Sequence, residues 1–371
     1  MLAPFVLSLA ALCPPAQQAT GPLQDPFEGL PAGDRELDAA DLDVLEALGV
    51  LRRLGAPPRG AELGGGTIDW SPDGKRILQV NQEGACRLWD ARSGVAAVEG
   101  RLTNGGDEEA TPGARFLGDG RLVACWSDSR LRAHGAGDLS VAEYLGGPLP
   151  GQRLERSADH GAFATVPPLF ADDASCSVFT ATPLRRALSI ASEDGTITHA
   201  AIANGAEVVA VLGADGDLSR RVLVRAKGGD VHPAEAPLQA WIDAAVADGQ
   251  TVANVAVSPD GALLALGCHG LVALFDVASG DLIEALDTEG ALVSSMRFTP
   301  KGDRLVVGDF AGFVSAIRTK RPRVLFTERA GFDVVLALAI APKGDRVALV
   351  TKADGLVLFD LKKKRETLAS N

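Results

Sequence analysis

Residue types that most often carry chemistry are sparse in this chain, and their spacing is poor. The histidines are His134, His160, His199, His232 and His269, with no common interval between them. Five cysteines, Cys13, Cys86, Cys125, Cys176 and Cys268, form no Cys-x-x-Cys pair, so neither a zinc knuckle nor a thioredoxin-like site is indicated. Cys86, Cys125 and Cys268 fall in or beside apolar strand-like runs. Cysteine acts there as a small hydrophobe, so buried free thiols are expected, with one disulfide as the alternative. Asp215-Gly216-Asp217 and Asp172-Asp173 come nearest to a calcium loop. They lack its ligand spacing and closing glutamate and read as turns. His232, before Pro233, is expected to be a loop residue rather than a ligand. There is no Gly-x-Ser-x-Gly elbow, no His-Glu-x-x-His and no phosphate-cradling Gly-x-x-x-x-Gly-Lys-Ser/Thr. No metal, cofactor or catalytic residue is expected from motifs.

Charge narrows the partners. The formal net charge is −12 and the pI about 5.0. A nucleic-acid surface needs lysine and arginine to displace the counterions around phosphates, and this balance runs the other way. The one dense basic run, Lys362-Lys363-Lys364-Arg365, reads as a solvated turn or strand edge.

The elements that would position any site come next. Hydrophobic residues make up 46% of the 371, with a mean hydropathy of +0.12, enough for a large core. Glycine and proline (42 and 21) recur as punctuation between short apolar runs, which is how a many-stranded protein reads. Residues 1–19 read as a signal peptide: Leu2 to Leu12 is apolar, but too short to span a bilayer. No basic residue precedes it, and the Ala-x-Ala pattern before residue 20 is poor. The expected location is therefore exported, periplasmic or extracellular, with a cytoplasmic protein as the alternative. No other segment is apolar enough to cross a membrane. Residues 20–35 read as a Pro/Gly-rich linker. Residues 36–55 read as an amphipathic helix, with Leu37, Leu42, Leu45, Leu48 and Leu51 on one face. Its tail, Val50 to Leu54, has a second reading as a strand that closes a ring.

From residue 56 to 371 the dominant feature is repetition. The unit at Thr67, TIDWSPDGKRILQVNQEGACRLWDARSG, has a strand, a Ser-Pro-Asp-Gly turn, an apolar strand, a turn at Gly84, and a strand ending in Trp89-Asp90. Pro-Asp-Gly supplies the fixed φ and the left-handed residue of a tight hairpin. Copies follow at Val255–Gly280, Met296–Arg318 and Leu338–Asp360. Their turn prolines Pro259, Pro300 and Pro342 are spaced 300 − 259 = 41 and 342 − 300 = 42. Weaker units begin at Ala114 and at Ser177, the latter phased by Pro183 to Gly195. The stretches 150–175 and 211–250 lack a clear copy.

This pattern resembles the WD-repeat family, with Trp89-Asp90, Phe275-Asp276 and Phe359-Asp360 in the place of its signature dipeptide. The resemblance implies an all-β fold: a β-propeller of four-stranded antiparallel blades, preceded here by the short N-terminal helix. About 305 residues at roughly 42 per blade give seven blades, or eight if both weak stretches are full blades. The family's Gly-His pair is absent. The blades are therefore expected to rely on packing of Trp89, Phe275 and Phe359 and on turn residues such as Asp194 and Asp354. The implied function is a non-catalytic scaffold that binds a protein or peptide. The alternative is a propeller enzyme, hydrolase or lactonase-like, with a central-channel site assembled from several blades. Partner contact is sought on irregular insertions, because function concentrates on loops held by a rigid frame. The candidate is Ala234–Val246, where Leu238, Trp241 and Ile242 share a short helical face that either meets a partner or packs down on the ring.

Overall fold

In a computed structural model the described residues are 50–53, 67–80, 85–102, 113–125, 131–146, 153–167, 175–192, 196–215, 219–330, 334–351 and 355–361. They form a propeller-like set of antiparallel sheets, each a meander of consecutive strands except the last, which β1 joins. The first sheet is β2 (Thr67–Trp70), β3 (Arg76–Val80), β4 (Ala85–Asp90) and β5 (Ala96–Arg101), following β1 (Val50–Arg53). Next come β6 (Gly113–Phe116), β7 (Leu122–Cys125), β8 (Leu131–His134) and β9 (Val141–Gly146). A third sheet holds β10 (Arg153–Arg156), β11 (Ala162–Val166), β12 (Ser175–Ala181) and β13 (Leu184–Ala191). The fourth has three strands, β14 (Thr196–Ile202), β15 (Val208–Asp215) and β16 (Ser219–Ala226), followed by helix α1 (Glu235–Ala247).

The remaining strands are β17 (Asn254–Val257), β18 (Leu263–Gly267), β19 (His269–Asp276), β20 (Leu282–Phe298), β21 (Arg304–Asp309), β22 (Phe313–Arg318) and β23 (Arg323–Arg329). The 17-residue β20 serves two meanders: residues 282–292 pair with β19 and residues 293–298 with β21. Last come β24 (Val335–Ile340), β25 (Arg346–Thr351) and β26 (Gly355–Asp360). Their fourth strand is β1, paired antiparallel with β26 through Val50↔Phe359 and Arg53↔Val357.

The phasing is most visible in the first hairpin of each meander. Seven turns, beginning at Ser71, Leu117, Ser157, Ala203, Ser258, Thr299 and Ala341, share the same two backbone bonds. In each, the first residue's N–H is bonded to the carbonyl five residues on (four at Leu117), and the N–H of the left-handed residue returns to the first residue's carbonyl. That residue has positive φ in all seven: glycine in five, His160 (59°) and Ala206 (55°) in the others. Where the turn opens with a hydroxyl, its side chain adds bonds that brace the turn. Ser71, Ser157 and Ser258 Oγ donate to Asp73, Asp159 and Asp260 at 2.7, 2.5 and 2.6 Å, and Thr299 Oγ1 to Asp303 at 2.6 Å. Trp89 is buried and donates through Nε1 to Gln79 Oε1 at 3.1 Å, while Phe275 and Phe359 are fully buried.

Burial between sheets explains the nearly continuous apolar strands: each sheet is covered on both faces by its neighbours, so alternation is lost. Ala164, Val178 and Ile190 of the third sheet, for example, pack with Ile197, Val209 and Val211 of the fourth. The first strands neighbour one another in the order β2, β6, β10, β14, β17, β20, β24, and β24 also neighbours β2. Trp70 Nε1 donates to the Ala339 carbonyl at 3.0 Å across that last junction.

Four expectations change. Pro183 does not open a repeat; it lies between β12 and β13, so the Ser177 unit straddles two sheets and its twelve-residue agreement is coincidental. The stretch 150–175, which lacked a clear copy, supplies β10 and β11 and a full sheet, its turn carried by Ser157-Ala158-Asp159-His160. Not every sheet has four strands, since α1 follows β16 in place of one. In the tail of the expected 36–55 helix, Val50–Arg53 are a strand, because their backbone bonds go to the otherwise open edge of β26. The rest of that helix, the signal peptide and linker, Asp172-Asp173, Asp194, Gly216-Asp217, Asp354 and the run Lys362–Arg365 lie outside the described residues.

Candidate functional site

The first strands are short, and each ends at an equivalent turn, so equivalent positions can be stacked in register. Two residues before each turn stand Asp69, Arg115, Glu155, Ala201, Ala256, Arg297 and Ala339. All seven line one cavity of about 70 Å³. One residue before each turn the chain places Trp70, Phe116, Arg156, Ile202, Val257, Phe298 and Ile340, mostly apolar, and all of these but Trp70 and Phe116 border the cavity too. Pro259, Pro300 and Ala158 of the turns also border the cavity, which places it at the mouth ringed by those turns.

The charged side chains divide into two groups. Asp69 is almost fully buried and grips Arg156: Nε lies 2.8 and 2.9 Å from the two carboxylate oxygens, and Nη2 lies 2.6 Å from Oδ1. The backbone N–H groups of Trp70 and Phe116 also donate to Asp69, at 2.9 and 2.8 Å. Burial alone would raise its pKa, but Arg156, with His160 and Arg115 adding to it, holds it below the usual value. Arg156 comes from β10 and Asp69 from β2, so this pair ties together two first strands with a third, β6, between them.

Glu155 is the centre of the second group. Arg115 Nη2 lies 3.5 Å from its Oε2, and Arg297 donates to the same oxygen from β20. Burial would raise the Glu155 pKa; Arg297, Arg115 and Arg153 together lower it. Burial pulls the Arg115 and Arg153 guanidiniums below their usual value, with Glu155 opposing. Arg153 donates to the Thr198 carbonyl. Three guanidiniums thus act on one carboxylate.

Both carboxylates of the cavity, Asp69 and Glu155, are thus held by arginine, which favours their charged form. Among the described residues no group of three or more His, Cys, Asp or Glu is placed to hold a metal. The histidines are dispersed. His160 is buried in its turn, with Nδ1 3.2 Å from the Phe116 carbonyl, and burial beside Arg156 pushes its pKa down to about 4. His134 Nδ1 bonds the Leu139 carbonyl at 3.0 Å. His232 sits in the loop before α1, where its Nδ1 accepts from the Ala234 N–H at 3.2 Å. Cys86, Cys176 and Cys268 are buried free thiols, and burial pushes Cys86 and Cys176 up to about 12.

The helical face of α1 carried two readings, partner contact or packing down on the ring. Leu238 and Ile242 are fully buried among Val222, Val224, Leu264 and Phe275, so they cannot meet a partner without the helix lifting off. Trp241 is half-buried and sits edge-on against Phe275, ring centroids 5.2 Å apart and planes at 78°. The face packs down on the sheets.

The charged ring itself was not singled out from the sequence. Its signal was present in the repeats at Thr67, Ala114 and Met296, where Asp69, Arg115 and Arg297 occupy one column. Glu155 joins that column only once Ser157, rather than Pro183, is taken as a repeat turn.

No family model matches this chain, and no curated protein matches it. Many solved structures share its fold. One, described as Kuenenia stuttgartiensis hydrazine synthase, aligns with a TM-score of 0.62 at 13% identity, covering 83% of this chain and 99% of that one. At such identity the likeness concerns fold alone. The chain has a β-propeller-like fold.

Proposed function

We propose that this protein is a seven-bladed, WD-like β-propeller closed by β1, and that it works as a non-catalytic scaffold binding a protein or peptide at the mouth ringed by the first-hairpin turns. The observation that carries this reading is the commitment of both channel carboxylates to arginine, which removes the general acid or metal ligand that a channel hydrolase or lactonase would use there. The turns themselves favour a docking surface. They are held by repeated hydrogen bonds and present Lys75, Lys301 and Lys343 to solvent on three neighbouring blades.

Affinity capture from native extract tests this. One reproducible partner is expected, lost when Lys75, Lys301 and Lys343 are together changed to glutamate. Recovery of no partner, or of one indifferent to that triple change, would count against it. An exported location belongs to the same proposal: the native protein should begin near residue 20, and N-terminal sequencing that finds residue 1 or 2 intact contradicts it.

A further inference from the structure

We infer that the channel mouth is a binding site for a small oxyanion of phosphate or carboxylate type, held between Arg115 and Arg297. The site goes beyond the scaffold reading and does not depend on it. Its basis is a charge imbalance enclosed in a cavity. Asp69 and Arg156 neutralise each other through bidentate contacts, whereas Arg115 and Arg297 both reach the single carboxylate of Glu155 across the same cavity. The remainder among the cavity's lining residues is 2 − 1 = +1, inside a protein whose net charge is −12. Desolvated guanidiniums without a full complement of counter-charge favour an anion strongly, because the low-dielectric surroundings screen them poorly.

Space is available beside them. Three of the seven ring positions are alanine, and two, Ala256 and Ala339, flank Arg297 on the neighbouring first strands. The cavity of about 70 Å³ has room for roughly five waters, or for one tetrahedral or planar oxyanion in their place. Arginine presents its N–H groups as a planar fork that matches two oxygens of such an anion. Glu155 then acts as an internal competitor, occupying with its Oε2 the donors that an incoming oxyanion would take.

That competition gives a specific test. Phosphate, sulfate, acetate and succinate are titrated by calorimetry into the full chain, with ionic strength held constant by chloride. Saturable binding of at least one is expected, with the order among the four distinguishing tetrahedral from carboxylate ligands. Glu155→Gln should tighten it by about tenfold, and Arg297→Gln should weaken it by at least about tenfold, the loss of one charge-assisted contact. If Arg297→Gln does not fold, Ala339→Leu fills the cavity without altering charge and should weaken binding comparably. Absence of saturable binding in both the wild type and Glu155→Gln overturns the proposal. So does binding that persists undiminished in Arg297→Gln or Ala339→Leu.

Discussion

Asp69 illustrates how much one side chain can be asked to hold. It accepts from Arg156 and from two backbone N–H groups, and thereby links β2, β6 and β10. Asp69→Ala would leave Arg156 buried without its partner and two amides unsatisfied. A loss of about 3–5 kcal/mol is expected, read from urea denaturation. Acid should act on the same region in two stages. His160 has its pKa pushed down to about 4 from 6.5. Between those values the unfolded chain takes up a proton that the folded chain refuses, so stability falls as pH drops through this window, by about 3 kcal/mol in all. Asp69 has a depressed pKa, so its contribution is complete above 3.8 and is lost as pH falls through the lower folded value. His160→Asn, which keeps a residue tolerant of positive φ, should flatten the stability profile between pH 6.5 and 4 while leaving the loss below 3.8 in place. An unchanged slope between 6.5 and 4 would contradict this account of His160.

Among the elements, α1 is the one that departs from the repeat. It follows the three-stranded sheet, and its N-terminal turn is pressed against the β19–β20 turn: a side chain on Gly280, whose φ is +76°, would collide with Pro237. Leu238 is core, so Leu238→Ala should cost about 3 kcal/mol. Trp241 Nε1 is buried with no hydrogen-bond partner among the described residues, which marks it as a packing group. Trp241→Phe should therefore change stability by less than about 1 kcal/mol. Denaturation curves for the two variants separate this from a partner-binding role, in which Trp241→Phe would weaken capture and Leu238→Ala would not unfold the protein.

Elements and site were unequally legible in the sequence. Turns built on Pro-Asp-Gly or Pro-Lys-Gly announce themselves because proline and glycine fix the backbone locally. The turns at Ala203 and Ser157 hide because alanine and histidine occupy the left-handed position, where neither is a usual signal. Mis-phasing at Pro183 followed, and with it Glu155 dropped out of the charged column. Arg115–Glu155–Arg297 is also a contact among distant strands, assembled by ring geometry rather than by any local spacing.

At the scale of the whole molecule, the first strands follow one another in a cyclic order. The neighbour order of the first strands returns from β24 to β2, the Gly74 turn packs against Pro342 just as Gly302 packs against Pro259 and Gly344 against Pro300, and β1 supplies the last strand of the final sheet. A sheet edge left open at β26 would be a site of fraying and of edge-to-edge association, and pairing with an N-terminal strand removes it. In the proposed closed ring, pairing of β1 with β26 would join strands far apart in sequence into one cooperative unit and keep the turn mouth and the charged cavity rigid enough to bind.

The most direct test is hydrogen exchange on peptides covering 355–361, compared between the full chain and a version lacking residues 1–53. Closure predicts slow exchange in the full chain, on the same scale as β25, and a large acceleration at β26 when β1 is removed. Equal protection of β26 in the two proteins would contradict a ring closed by β1.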